Sequence, residues 1–384
     1  MTPAARTQAA IELLDAIILA AREGGAAADT LIVRYFKDRR YAGSKDRRAV
    51  RELVYVAVRA LGEPPASGRA ALLALTQEDP ALAGTFDGSP HGPDPIDPVE
   101  PAAARGVLPV WLAAALTASG VPAAEWPALV ERAPLDVRLN TLQSPPEGGE
   151  PIPGLAQGRR LPAGTDLAPY AGQLEPQDAG SQFVTLAAAA QPGQQVVDLC
   201  AGAGGKTLAL AAAMENRGHV LACDTDRGRL SRLPPRAAAA GVTIAETRLL
   251  DPQREAAQLA DWQGRADLVL VDAPCSGTGT WRRNPEARWR LTPARLERLA
   301  ATQRHILSVA ATLVRPGGTL VYVVCSLLDA EGADQAAAFL AAYPGWQAEP
   351  IALPVGRAHG AGLRLTPAHD DTDGFYVARL RAPC

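Results

Sequence analysis

Nowhere in this 384-residue chain do apolar residues run for the roughly 18 positions that a membrane-crossing helix requires, although 47% of its residues are hydrophobic. The opening segment, MTPAARTQAA, lacks the charged-then-apolar leader of a secreted protein. A soluble, cytoplasmic protein with no membrane partner is expected. The cysteines are few and odd in number, five, and no two form a C-x-x-C pair. Neither a disulfide framework nor a zinc or other metal site follows from them, and the thiols are expected to be reduced. Neither sign of charge dominates: 38 Lys and Arg face 41 Asp and Glu, a net charge of −3. Lysine is scarce, occurring only at Lys37, Lys45 and Lys206.

That near-neutral average conceals two basic runs. RYFKDRRYAGSKDRRAVR, residues 34–51, carries eight basic residues against two Asp, and residues 282–304 carry seven Arg against two Glu. Each run either tracks a nucleic-acid backbone or is a solvated helix face.

The length favours two or three domains. Helical spacing dominates the first 80 residues, with Ile11, Leu14, Ile17 and Ile18 on one face and Val50, Leu53, Val54, Ala57 and Val58 on another. TFDGSPHGPDPIDPVEPAA, residues 85–103, is a proline-rich loop. Helical spacing returns from Leu108 to Ala133, LDVRLN at Leu135–Asn140 alternates like a strand, and a Pro/Gly-rich span runs to Gly172. From Gln194 short apolar runs alternate with helical stretches, the signature of a parallel sheet covered on both faces. Strands are expected at Gln195–Leu199, His219–Cys223, Val242–Thr247, Asp267–Asp272 and Thr319–Cys325. A last pair, near Trp346–Leu353 and Phe375–Leu380, would form an antiparallel edge. Pro234 and Pro235 must break or kink the intervening helix.

DLCAGAGGKTLAL, Asp198–Leu210, ends in GGKT, yet a phosphate-binding P-loop would need glycine where Cys200 stands. The dinucleotide fingerprint likewise fails at Thr207. What remains is a strand ending at Asp198, a tight turn through Gly202, Gly204 and Gly205, and a helix: a nucleotide-like ligand site in an open α/β sheet. Asp224 then follows the next strand, where it would reach ribose hydroxyls, and Asp251 follows the third, where it would meet an adenine edge. Each alone also suits a helix cap. Two further strands end in VDAPCSGTG and VVCSLLDAEG, which place Cys275 and Cys325 on the same edge of the sheet. A free cysteine is commonly a small buried hydrophobe, so position carries the functional reading here.

Together DLCAGAGGKT, DAPCSGTG and VCS resemble the RsmB/NOP group of RNA cytosine carbon-5 methyltransferases. The likeness extends to RLNTL (Arg138–Leu142), QDAGSQ (Gln177–Gln182) and DGFYVARL (Asp373–Leu380), and so covers residues 126–382. The segment GSKDRRAVRELVYVAVR, Gly43–Arg59, is similar to the NusB-like RNA-binding domain of the RsmB branch, which modifies small-subunit (16S) ribosomal RNA. Two departures stand out. The family loop reads C-A-A-P-G-G-K where this chain has CAGAGGK, and the family's T-C-S is VCS here.

The resemblance implies a Rossmann-like class I methyltransferase domain at 186–384 with a mixed, mostly parallel sheet. It also implies an all-α NusB-like RNA-binding domain at 1–125 and a small RNA-contacting subdomain at 126–185. S-adenosyl-L-methionine would be held by Cys200, Ala201, Gly202, Ala203, Gly204, Gly205, Lys206, Asp224, Arg229, Asp251 and Asp272. Catalysis would fall to Cys325 as nucleophile, Cys275 in product release and Asp272 at the base, with 16S rRNA as partner, no metal, and a monomeric enzyme. Residues alone do not choose between the two thiols. The competing readings are a transfer-RNA methyltransferase and a catalytically idle RNA-binding assembly factor.

Overall fold

A computed structural model describes all residues from Met1 to Cys384. The chain divides into two compact units: Met1–Arg132 with Thr280–Thr292, and Ala133–Gly279 with Pro293–Cys384.

Helices Pro3–Glu23, Ala28–Lys37, Ser44–Ala60 and Gly68–Thr76 build the first unit. The side chain of Thr2 caps the first helix by accepting from the Ala5 amide at 3.1 Å, and Pro3 occupies its first turn, where no amide is needed. Ile11, Leu14, Ile17 and Ile18 are buried together with Val50, Val54, Ala57 and Val58, so the two expected apolar faces meet in one core. No regular helix or strand forms across 85–103.

Residues Thr280–Thr292 pack into these helices although they lie, in sequence, within the span of the sheet. A carboxylate oxygen of Glu286 accepts from the first-turn amide of Ala28 at 3.1 Å. The guanidinium of Arg288, fully buried, donates to the carbonyls of Val58 (2.6 Å) and Leu61 (2.8 Å) at the end of Ser44–Ala60. An acid at a helix start and a base at a helix end both complement the backbone dipoles. Arg290 donates to the carbonyls of Gly25 and Ala26. Two arginines of the second basic run, read as either a nucleic-acid contact or a solvated helix face, are thus engaged by backbone carbonyls. By contrast Arg34, Lys37, Arg40, Lys45 and Arg48 of the first basic run are exposed, as is Tyr41.

The second unit carries two sheets. Strands β1 (Leu135–Leu139), β2 (Glu150–Pro151), β3 (Gly158–Leu161) and β4 (Leu174–Pro176) form an antiparallel sheet in the order β2-β3-β1-β4. The Pro/Gly-rich span therefore contains short strands that its composition hides. The large sheet comprises β5 (Gln195–Asp198), β6 (His219–Asp224), β7 (Ala245–Leu249), β8 (Ala266–Asp272), β9 (Val314–Val324), β10 (Gln347–Glu349), β11 (Arg357–His359), β12 (Gly362–Leu365) and β13 (Phe375–Arg381). Its order is β11-β12-β13-β9-β8-β5-β6-β7, with β10 also on β13. The five strands from β9 to β7 are parallel, and β13 runs antiparallel to β9. This is the expected Rossmann-like, mixed and mostly parallel arrangement.

Two expectations need correction. β7 begins at Ala245 rather than Val242, because Val242 belongs to the apolar turn packed under the preceding helix. The Phe375–Arg381 strand does pair with β10, but it is not an edge: β9 lies on one side and the hairpin β11-β12 extends the sheet beyond it. Pro234 and Pro235 sit in the first turn of Leu233–Ala239, separated from the short helix Arg227–Leu230, which is the expected break.

Candidate active site

Chain direction across the sheet reverses at β5. From β5 the chain moves outward to β6 and β7, then returns to place β8 on the other side of β5. At such a switch point the carboxyl ends of adjacent strands splay apart and leave a crevice. Here a cavity of about 770 Å³ opens, within the usual range for a small-molecule site. Of the residues singled out in the sequence, Cys200, Asp224, Arg229, Asp272, Cys275 and Cys325 line it.

The glycine loop shapes this cavity from behind. Gly202 and Gly204 adopt φ of +56° and +91°, a backbone that side chains disfavour. A Cβ on Gly202 would lie 2.4 Å from the Arg229 guanidinium, and one on Gly204 would lie 2.1 Å from buried Leu233. The turn points the Gly202 amide at Asp224, whose Oδ2 accepts it at 2.7 Å. Ala201 is buried, the Ala203 carbonyl accepts from Arg236, and Gly205 begins the helix Gly205–Ala213. Ala201, Gly202, Ala203, Gly204, Gly205 and Lys206 support the wall without lining the cavity.

Lys206 turns inward, and its Nζ donates to Asp272 Oδ2 at 2.7 Å, with the Phe375 ring 5.7 Å away. Burial acts to lower its pKa, but the pairing with Asp272 outweighs it and the net shift is upward. Thr207, the last residue of GGKT, donates to Asp198 Oδ2 at 2.6 Å. Asp198 is wholly buried, does not line the cavity, and is pushed up to about 7 by that burial. Asp251 also falls outside the lining. Its carboxylate accepts from Gln258 Nε2 at 3.0 Å and its amide donates to Gln258 Oε1, so a local turn holds it away while Leu250 and Pro252 form the wall.

The register of β8 on β9, with Asp272 opposite Val323, carries the two cysteine loops to one place. Cys275 Sγ and Cys325 Sγ are 3.3 Å apart. Their mutual hydrogen bond, then burial, raises the Cys275 pKa well above that of a free thiol. Burial has the same effect on Cys200.

Two groups at this site escaped the sequence reading. Thr302, His305, Ile306 and Val309 of the helix Pro293–Leu313 line the cavity, with His305 Nε2 3.0 Å from Glu255 Oε2. Their i, i+3, i+4, i+7 spacing was available as a signal, masked by the arginines around them. The other is Glu331, in the acidic loop after Cys325, which is completely buried.

The donor set fits S-adenosyl-L-methionine. Asp224 would meet its ribose hydroxyls, Asp272 would face its ammonium and sulfonium charge, and Leu250, Ile306 and Val309 offer an apolar wall for its adenine. Fold and cavity define a Rossmann-like domain whose switch-point crevice would hold this cofactor. A family described as 16S rRNA methyltransferase RsmB/F matches residues 185–381. The ribosomal RNA small subunit methyltransferase B of Thermus thermophilus is 40% identical over 209 residues, 54% of this chain and 50% of that protein. A probable ribosomal RNA small subunit methyltransferase B of Synechocystis sp. is 38% identical over 242 residues, 59% and 53% of the two chains. The crystal structure of a methyltransferase homolog protein from Pyrococcus horikoshii shares the fold, with a TM-score of 0.59, 23% identity, and coverage of 72% of this chain and 100% of that one. The chain belongs to the RsmB/F family of 16S rRNA methyltransferases. It spans about half the length of these two curated relatives.

Proposed function

We propose that this chain, as a cytoplasmic monomer, methylates carbon 5 of a cytosine in 16S rRNA through a covalent Cys325–cytosine adduct. The observation that carries this reading is the pair of thiols 3.3 Å apart that lines the cavity together with Asp272. Carbon 5 of cytosine is a weak nucleophile. Addition of the Cys325 thiolate to carbon 6 moves electron density to carbon 5, which can then take a methyl group. S-adenosyl-L-methionine, when bound, supplies that group as an electrophile.

Asp272, held by Lys206, accepts a hydrogen bond from the exocyclic amine of the base and steadies the adduct. Once carbon 5 is methylated, its proton must leave and the Cys325 Sγ to carbon 6 bond must break. Cys275, as thiolate, takes up the carbon 5 proton as the Cys325 thiolate departs. Positioned against Asp272, Lys206 also contributes positive potential beside the thiols. The target base enters from a single-stranded or flipped position, because its ring must lie between cofactor and thiol.

RNA is recruited by a NusB-like helical domain over residues 1–125, for which the unpaired Arg34, Lys37, Arg40, Lys45 and Arg48 around exposed Tyr41 offer phosphate contacts and a stacking surface. The small sheet of the 126–185 region is a second RNA contact. Mapping 5-methylcytosine in ribosomal and transfer RNA, with and without the gene and with Cys325→Ala in its place, tests the reading. Loss of one 16S position in both altered strains is expected. Loss of only a transfer-RNA position overturns the substrate assignment, and an unchanged map overturns the activity.

A further inference from the structure

Each of the two cysteines is followed by a serine, Cys275-Ser276 and Cys325-Ser326, and both serines converge on one carboxylate. Ser276 donates its amide to Glu331 Oε1 at 2.8 Å and its hydroxyl to Oε2. Ser326 donates its hydroxyl to the same Oε2 at 2.6 Å, and the two serine oxygens are 3.2 Å apart. Gln303 Nε2 bridges the arrangement, donating to Glu331 Oε1 at 3.1 Å and to the Pro274 carbonyl at 3.0 Å. Further ties run between the loops without Glu331: the Gly279 amide donates to the Cys325 carbonyl at 3.0 Å, the Leu327 amide donates to Thr278 Oγ1 at 2.8 Å, and Thr278 Oγ1 lies 3.1 Å from Ser326 Oγ.

Glu331 is 0% exposed and forms no ion pair. A carboxylate in such a place costs more than an apolar side chain of the same volume, since only neutral donors compensate its lost hydration. Filling space does not explain it. What an apolar residue could not do is accept from both loops at once, and that tie sits one residue beyond each thiol.

We infer that Glu331 is a positioning residue that clamps the Cys275 loop to the Cys325 loop and thereby sets the distance between the two thiols. The inference rests on the two-thiol reading of the site, but its central observable needs neither RNA nor methyl transfer. Glutamine can keep the clamp: its oxygen replaces Oε1, and its amide donates to the two serine hydroxyls, which rotate to accept. Alanine cannot.

Phenylarsine oxide bridges two thiols only when they are adjacent, and the bridged peptides are identified by mass spectrometry. With Glu331→Ala, bridging of Cys275 to Cys325 should slow roughly 10-fold or more, whereas Glu331→Gln should stay within about 3-fold of the parent. S-adenosylhomocysteine affinity, measured on each variant, should change less than about 3-fold because Glu331, Ser276 and Ser326 do not line the cavity. In methyl transfer to 16S rRNA the alanine variant should lose about 10²-fold in kcat with KM for RNA unchanged, and the glutamine variant should recover most of that loss. Should Glu331→Ala fail to fold, Ser276→Ala with Ser326→Ala removes the same hydroxyl ties and must slow bridging. Bridging at the parental rate in a folded variant without the ties overturns the inference, as does a glutamine variant no faster than alanine. A parent enzyme that bridges normally but methylates no RNA overturns the proposed function and leaves the clamp standing.

Discussion

Asp198 and Asp272 end neighbouring strands, and the glycine-loop helix answers each with one side chain: Thr207 to the first, Lys206 to the second. The two carboxylates nevertheless have opposite fates. Asp272 faces the cavity beside a cation, whereas Asp198 is sealed in the core with a single hydroxyl donor. Burial raises Asp198 from 3.8 to about 7, with the charges of Asp272 and Asp224 adding to the shift and Thr207 and Lys206 opposing it. Between those two pH values the folded state holds a proton that the unfolded chain has released. The contribution of this group to stability is therefore complete below about pH 4 and is lost as pH rises through 7. Asp198→Asn should retain the Thr207 hydrogen bond and abolish that loss. Calorimetry at pH 5 and pH 8 should show the parent losing a few °C more than the variant, and equal losses would contradict the assignment. DLCAGAGGKT made the acid legible as a strand end but not its burial, because side-chain direction at the last residue of a strand depends on how the turn leaves it.

At the scale of elements, the buried strands were readable and most of the exposed ones were not. VVD at the end of β5, VLAC within β6 and LVLVD in β8 are covered on both faces and read as continuous apolar runs. β7, AETRL, is half exposed at the sheet edge and shows no such run, which explains its displaced start. The hairpin β11-β12 carries Arg357, His359 and Arg364, polar residues that mask strand character. The glycine turn was legible for a different reason: Gly204 stands at φ +91° against Leu233, a conformation only glycine adopts freely. Gly204→Ala should cost about 1–3 kcal/mol of stability from backbone strain and weaken S-adenosylhomocysteine binding. Thermal unfolding and titration calorimetry check both, and an unstrained, fully binding variant would refute the account of the turn.

For the whole molecule, composition and periodicity separated a helical N-terminal part from an α/β part. They did not reveal that Thr280–Thr292 leaves the sheet unit's chain span to cap two helices of the other. Nothing local marks it: RRNPEARWR has the polarity of a basic surface helix, and beside the local carbonyl of Pro285 it is the distant carbonyls of Val58 and Leu61 that accept from buried Arg288. Burial lowers the pKa of Arg288 to about 9, yet it remains charged at neutral pH. Arg288→Met should take from the Val58 carbonyl its 2.6 Å donor, while the Leu61 carbonyl keeps Trp289 Nε1 at 3.0 Å, and should destabilise the helical unit by about 1–3 kcal/mol. Hydrogen exchange across Ser44–Ala60 measures this, and unchanged protection would mean the arginine is not a cap. The two thiols were legible as a pair because each follows a strand of the same sheet; Glu331, which ties them, was not, because its partners are assembled only by the fold.

Under the proposed function, Cys325 bonds covalently to a cytosine of RNA. A 16S rRNA fragment carrying 5-fluorocytosine tests it directly, since fluorine at carbon 5 cannot leave as a proton and the adduct persists. With S-adenosyl-L-methionine present, the parent chain should form a stable protein–RNA complex whose cross-linked peptide contains Cys325, and Cys325→Ala should form none. A complex of equal yield in the alanine variant, or one mapped to Cys275, would contradict the account.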